Sequence, residues 1–326
     1  MGDHQGPVVV AVGDDSCGQT VDWAAAEAAA QGCRMHIVHA ERLRWTVDPS
    51  GLVPVADFDS SLAATEHILP AAVSRARSVA PGIEISAESV VRSTVPLLAS
   101  RARGARLLVL GSHVPPFPRA LRSVLIPSVG DRVAGRAACP VAVIRPLPSS
   151  APVGSCPRVV VGVDGSATRA AVLGVAFHAA AQRGVPLTAV HGWMADVWAD
   201  HEAVCGPAAA AEERARLVLD EALDAWRIRF PDVPVETRLP AAEPADALVR
   251  ESEGAALTVV GCRARGSIRA TFFGSVSRHV VQRVRCPVVV VPTGRAAVPG
   301  NIARRADHVV DPAGSRPARQ RRAPWG

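Results

Sequence analysis

The stretch that decides the fold is Val159-Val160-Val161-Gly162-Val163-Asp164-Gly165-Ser166. Valine is β-branched and favours strands, and the Asp-Gly-Ser turn ends the run. An Ala-rich stretch of helical length follows over Ala167–Arg183. A strand without polar alternation, followed by a helix, is typical of a parallel sheet that is covered on both faces. This stretch therefore predicts one βα unit of an α/β domain.

The same pattern occurs twice along the 326-residue chain. Four segments return at offsets of 147 to 152 residues. A period this long indicates duplicated domains and not a solenoid. The pairs are Val8–Val12 with Val159–Val163, Ile37–His39 with Ala189–His191, Leu107–Gly111 with Leu257–Gly261, and Cys139–Val143 with Cys286–Val290.

Apolar runs alternate with helical stretches in the second copy. In the helical stretch over Ala208–Phe230, the spacing sets Leu217, Glu221 and Leu223 among i, i+4 neighbours. Glu213 and Arg214 are expected to point outward. Right-handed crossovers between parallel strands give a doubly wound fold. We therefore predict an α/β protein of two tandem Rossmann-like domains, each a five-stranded parallel sheet with helices on both faces. The second copy's strands are expected at Val159–Val163, Leu187–His191, Val235–Leu239, Leu257–Val260 and Val288–Val291.

Composition shifts mark the domain boundaries, which we place at residues 1–146 and 158–293. Residues 147–157 are rich in Pro and Ser, as in a linker. Residues 294–326 carry Arg with Pro, Ala and Gly and have no apolar period, which predicts a disordered tail. The net charge is +6, and the sequence contains no Lys. The Arg-rich tail is either a solvated segment or a weak contact for nucleic acid or an anionic surface.

The lack of a targeting or membrane segment, together with the cysteine spacing, leads us to expect a cytoplasmic protein. No apolar run approaches the roughly 20 residues of a membrane helix, and the N-terminus lacks a basic n-region. The seven cysteines stand singly, without a C-x-x-C pair, so we expect neither disulfides nor a metal framework. Cys139 and Cys286 each precede Pro and an apolar run, which predicts small buried side chains.

Two loops of the second copy suit a nucleotide, because parallel sheets bind ligands beyond the carboxyl ends of their strands. Asp164 can accept hydrogen bonds from a ribose or adenine, and Gly165 allows a close backbone turn. Equally, Asp164 or Ser166 can cap the following helix. The stretch Gly274-Ser275-Val276-Ser277 opens a helix and would present free amides to phosphates.

The second of these loops carries a resemblance to a known family. Gly261-x-x-Ala264, nine further residues and Gly274-Ser275 resemble the ATP-binding signature of universal stress proteins, in which G-x-x-G precedes G-[S/T]. Three further segments are similar to that family at matching places: Val159–Ser166, Val190–Trp193 and Cys286–Val288. The resemblance implies domains of the adenine nucleotide alpha hydrolase-like type. It also implies dimers, or tandem pseudo-dimers within one chain, that associate through the last strand.

The resemblance also implies a ligand, ATP alone or with Mg²⁺, that is bound without strong turnover. It assigns Asp164 and Val190 to the adenosine end of that ligand. It assigns the remaining positions to the ribose and phosphates: Gly261, Arg263, Gly266, Gly274, Ser275, Val276 and Ser277.

Both copies depart from the signature. Ala264 replaces the second Gly, and its methyl group opposes a positive φ there, although Gly266 can take over that role. In the first copy Pro127 stands opposite Gly274, and proline lacks the amide donor that the site would use. Asp14 and Gly13 fit the position of Asp164 equally well. We therefore expect a degenerate first site and a nucleotide site in the second copy.

Other side chains near these loops leave alternatives open. His39 and His191 follow the second strand of each copy and are either binding residues or structural histidines. Trp193 and Trp198 can cover an adenine ring or pack against the neighbouring domain. An enzyme is the less favoured reading, because phosphate chemistry needs a placed Lys, a group of metal ligands or a base. A ligand-free protein-interaction module and a slow ATPase stay as alternatives.

Overall fold

The computed structural model describes residues 6–13, 17–41, 45–48, 51–54, 58–112, 129–145, 157–165, 169–194, 207–262 and 274–293. The first half contains β1 (Val8–Val12), α1 (Gly18–Ala30), β2 (Met35–Glu41), β3 (Trp45–Asp48), β4 (Gly51–Pro54), α2 (Phe58–Val79), β5 (Ile85–Val91), α3 (Thr94–Arg101), β6 (Leu107–Gly111), α4 (Val129–Ala134) and β7 (Val141–Ile144). The second half contains β8 (Val159–Gly162), α5 (Arg169–Arg183), β9 (Leu187–Val190), α6 (Pro207–Arg229), β10 (Val235–Arg238), α7 (Pro244–Glu251), β11 (Leu257–Cys262), α8 (Ser275–Arg283) and β12 (Val288–Pro292).

Ten strands form one sheet in the order β10-β9-β8-β11-β12-β7-β6-β1-β2-β5. Neighbouring strands are parallel within each half, and the two halves meet where β12 pairs antiparallel with β7. Val289 lies opposite Ala142 at the centre of that pairing. The last strand of each half therefore joins the two halves, which is the association that the resemblance implies. The predicted fold class is confirmed.

The strands of the second copy begin where the sequence predicts them. Each observed strand ends within two residues of its predicted end, because apolar β-branched runs are a local signal. The first half adds an antiparallel hairpin of β3 and β4 between β2 and α2. The second half has no counterpart of this hairpin among its described residues, so the repeat does not predict it.

Two apolar clusters fill the space between the sheet and its helices. One lies under α1, α2, α5 and α6, and the other lies under α3, α4, α7 and α8. Each cluster contains buried residues from both halves. The central strands of the sheet are thus covered on both faces, as expected for strands that are apolar on both sides, whereas the residues of the edge strands β5 and β10 are partly or fully exposed.

The buried face of α6 agrees with the predicted one in part, since Leu223 is buried and Glu213 and Arg214 are exposed as expected. Leu219 and Leu223 are fully buried, whereas Leu217 is 60% exposed, so its predicted inward position is wrong. The α6 residues that face the sheet follow a spacing of three and four, from Ala215 through Leu219 to Ala222 and Leu223. Leu217 falls on the opposite side of this helix.

The cysteines that the structure describes carry no disulfide. Cys139 and Cys286 are buried, as predicted from the apolar run that follows each of them. No helix among the described residues is long and apolar enough to cross a membrane.

Candidate functional site

The strand order of the second half reverses between β8 and β11. Chain connections leave these adjacent strands in opposite directions across the sheet, which opens a crevice beyond their carboxyl ends. Asp164 and Gly165 follow β8 at this crevice, and Cys262 ends β11 beside it. The two predicted loops therefore start from neighbouring strands.

A backbone hydrogen bond fixes the turn after β8, and the residues of this turn are exposed to solvent. The Val163 amide donates to the Val190 carbonyl at 2.9 Å, while Asp164 and Gly165 are exposed. A Cβ on Gly165 would lie 3.9 Å from Cγ1 of Val218 in α6, so α6 borders this turn. The described part of α5 begins at Arg169, and residues 166–168 lie outside the described residues, so the capping role of Asp164 or Ser166 stays a prediction.

The N-terminus of α8 lies at the end of β11, because Cys262 contacts both the Gly274 backbone and the Ser277 side chain. Gly274 is its N-cap residue, and the Ser277 hydroxyl donates to the Gly274 carbonyl at 3.1 Å. Amides of a first helical turn lack acceptors within the helix, so those of Ser275, Val276 and Ser277 are suited to an anion. Among the described residues, the nearest atom to a Cβ on Gly274 would be the Ser277 hydroxyl oxygen, at 3.8 Å.

Gly261 has a packing role at the end of β11. A Cβ there would lie 3.1 Å from Cγ2 of Val172 in α5. Gly111, at the same place in the first half, would bring a Cβ to 2.9 Å from the Thr20 hydroxyl in α1. Both glycines let the first helix of their half lie close to the fourth strand of its sheet.

Cys262 links β11 to α8 and is a residue that the sequence patterns do not single out. Burial raises the pKa of the Cys262 thiol above its ordinary value of 9.0, and hydrogen bonds with the Gly274 backbone and the Ser277 side chain partly oppose that rise. The Cys262 carbonyl accepts the amide and hydroxyl of Thr293, at 2.9 and 2.8 Å. The sequence signal that could have singled out Cys262 is its position directly after Gly261, at the carboxyl end of a strand, where ligands of parallel sheets bind.

The two histidines make the same contact in both halves. His191 Nδ1 lies 2.8 Å from the Val163 carbonyl, and His39 Nδ1 lies 3.0 Å from the Val12 carbonyl. Because a carbonyl only accepts, Nδ1 carries the proton in each ring. This repeated contact ties the second strand to the end of the first strand and favours the structural role for both residues.

Trp193 is held by contacts with the segment that follows β10. Its Nε1 donates to the Leu239 carbonyl at 2.9 Å, and its backbone forms an isolated bridge with Ala241. Gly192, just before Trp193, lies against the first residue of α7, because a Cβ on Gly192 would be 2.8 Å from Cα of Pro244. Trp193 thus packs within its own half, onto the segment that leads into α7.

Val190 is buried to 1% exposure, and its side chain packs in the cluster under α7 and α8. Its contact with adenosine stays a prediction. Several other predicted positions lie outside the described residues, namely Arg263, Ala264 and Gly266 of the signature, Asp14, Pro127 and Trp198. Among the residues that are described, no group of three or more His, Cys, Asp or Glu side chains is placed to hold a metal ion.

With this geometry established, comparison with known proteins identifies the class. The chain belongs to the universal stress protein family, whose model matches residues 6–145 and again 156–292. A universal stress protein of Mycobacterium tuberculosis is 38% identical over 217 residues, covering 64% of this chain and 69% of that protein. Another from the same species is 31% identical over 293 residues, covering 87% and 95%.

A solved structure supports the fold assignment. The crystal structure of a universal stress protein from Archaeoglobus fulgidus matches with a TM-score of 0.61 at 19% sequence identity. The match covers 88% of this chain and 97% of that one, so the tandem arrangement is shared along nearly the whole length.

Proposed function

We propose that this universal stress protein binds ATP, or a related adenine nucleotide, in its second half and acts in regulation or stress response through that binding. The observation that carries the proposal is the position of two segments, Asp164–Gly165 and Gly274–Ser277. Both lie beyond the neighbouring strands at which the strand order reverses. Ligands of doubly wound folds bind at such a crevice.

The two segments suit opposite ends of a nucleotide. The exposed Asp164 carboxylate accepts hydroxyl hydrogens, as a ribose would offer them. The first-turn amides of α8 donate to phosphate oxygens at the positive end of the helix dipole. Each such contact is worth about 0.3–2 kcal/mol, and about 8 kcal/mol is needed for micromolar affinity. Arg263 and the glycines of the signature would supply further contacts, and Mg²⁺ enters only as the ion that accompanies ATP.

The first experiment is a calorimetric titration of nucleotide-stripped protein with ATP and with adenosine. Ser275→Pro removes one amide at the first helical position, where proline fits the helix. Ser275→Ala is the matched control, because it removes the hydroxyl and keeps the amide. We expect one site per chain and an affinity for ATP about 2- to 30-fold weaker in Ser275→Pro, with adenosine unaffected.

The same titration separates the alternatives. Equal ATP affinity in the proline and alanine variants would remove α8 from the site. Two sites per chain would show that the first half also binds. No binding by the stripped protein, with no nucleotide co-purified, would favour a ligand-free interaction module. Phosphate release from bound ATP over hours would identify a slow ATPase.

A further inference from the structure

We propose that the contact between α1 and α5, beside the pairing of β7 with β12, is a selective interaction surface that fits the opposite half of this chain and rejects a like half. The contact rests on an ion pair. Arg183 Nη2 in α5 lies 2.5 Å from Oε2 of Glu27 in α1, and the Glu27 side chain is only 9% exposed. Nearby, the Gln182 side-chain amide donates to the Ala30 carbonyl at 3.1 Å.

The ion pair is not symmetric with respect to the two copies. Gly32 and Gly184 follow α1 and α5 with matching φ angles of 60° and 61°, which fixes the correspondence of the helices. Counting back five residues from each glycine, Glu27 corresponds to Ala179. Counting back one residue, Arg183 corresponds to Gln31. The first copy therefore supplies only the anion, and the second copy supplies only the cation.

Like pairings would leave these two charges without an oppositely charged partner. Glu27 would keep the hydrogen bond that the Gln31 side-chain amide donates within α1, at 2.5 Å, and Arg183 would keep its bond to the Ala179 carbonyl, at 3.2 Å. If two first halves met through β7, each Glu27 would face the other half's Gln31 in place of Arg183. If two second halves met through β12, each Arg183 would face Ala179. A carboxylate this deeply buried is costly without a cation, and removing one member of a buried pair is far more destabilising than never having the pair.

The opposite face of the sheet carries a second one-way contact. Arg145 follows β7 and donates from Nη2 to the Val281 carbonyl in α8. Ile144 pairs with Gly111 and Val291 pairs with Gly261, so the residue that corresponds to Arg145 is Pro292. Proline has no side-chain donor, and the reverse contact from β12 to α4 cannot form. Both faces of the sheet thus favour the pairing of unlike halves.

Two single substitutions in the full-length chain reproduce the contacts that a pairing of two identical halves would make. Arg183→Gln places glutamine opposite Glu27, as two first halves would. Glu27→Ala places alanine opposite Arg183, as two second halves would. We expect each to lower the folding equilibrium constant about tenfold or more, measured by urea unfolding. The double variant should lose less than the product of the two single effects.

The control is Arg216→Gln, which breaks an exposed ion pair with Glu212 inside α6 and should change the folding constant less than threefold. If Glu27→Ala does not fold, Glu27→Gln replaces it in the same cycle. The proposal is overturned if the single variants behave like the control. It is equally overturned if the effects of the two substitutions are independent of one another.

Discussion

Cys139 provides a titratable probe at the scale of a single residue. It is fully buried before β7, and burial raises the pKa of its thiol from 9.0 to about 12. The unfolded chain therefore releases this proton at lower pH than the folded chain does. Folding stability that is present below pH 9 is then lost as the pH rises toward 12.

The composition of the chain allows this loss of folding stability at alkaline pH to be assigned to cysteine. The sequence contains no Tyr and no Lys, so cysteines dominate the side-chain titration between pH 9 and 12. We expect the free energy of unfolding, measured with urea at each pH, to fall across this window. Cys139→Ala should flatten the fall by a few kcal/mol, on the order set by 1.36 kcal/mol per pH unit. An unchanged slope in that variant would mean that this thiol ionises freely in the folded state.

The residues of the candidate site were predictable to different degrees. The helix start at Gly274–Ser277 could be predicted, because a Gly-Ser pair before an apolar helical spacing is a local signal, while its role in binding stays a prediction. The contact of Cys262 with that helix start could not be predicted, because eleven residues separate Cys262 from Gly274 in the sequence and only the fold brings them together. The backbone bonds of His39 and His191 likewise depend on how two strands pair.

At the scale of an element, helix α6 shows that a helical sequence pattern does not by itself determine which face of the helix is buried. Its leucines at 217, 219 and 223 allow two faces, and only the packed structure selects Leu219 and Leu223. We expect Leu219→Ala to cost about 2–5 kcal/mol of unfolding free energy, because it leaves a cavity under the helix. Leu217→Ala should stay within about 0.5 kcal/mol of the wild type. Similar losses for the two variants in urea unfolding would contradict the assigned face.

Elements that repeat were predictable, and the element that does not repeat was not. Three strands of the second copy, β8, β11 and β12, are marked by consecutive valines. The β3–β4 hairpin lies between β2 and α2 of the first copy and has no counterpart among the described residues of the second, so matching the copies could not predict it.

The continuity of the two apolar clusters has a consequence for the whole molecule. Because each cluster contains residues of both halves, neither half keeps all of its buried apolar surface when the other unfolds. We expect a single thermal transition in scanning calorimetry, with equal calorimetric and van't Hoff enthalpies. Two resolved transitions would show that the halves unfold independently.

The pairing of β7 with β12 also shapes how the chain is made. Strand β7 is buried at the centre of the finished sheet, yet its partner is the last described strand and leaves the ribosome about 150 residues later. At roughly 5–20 residues per second, the apolar edge of β7 stays open for about 7–30 s on each nascent chain. Until β12 pairs with it, the open edge of β7 is an aggregation hazard during translation.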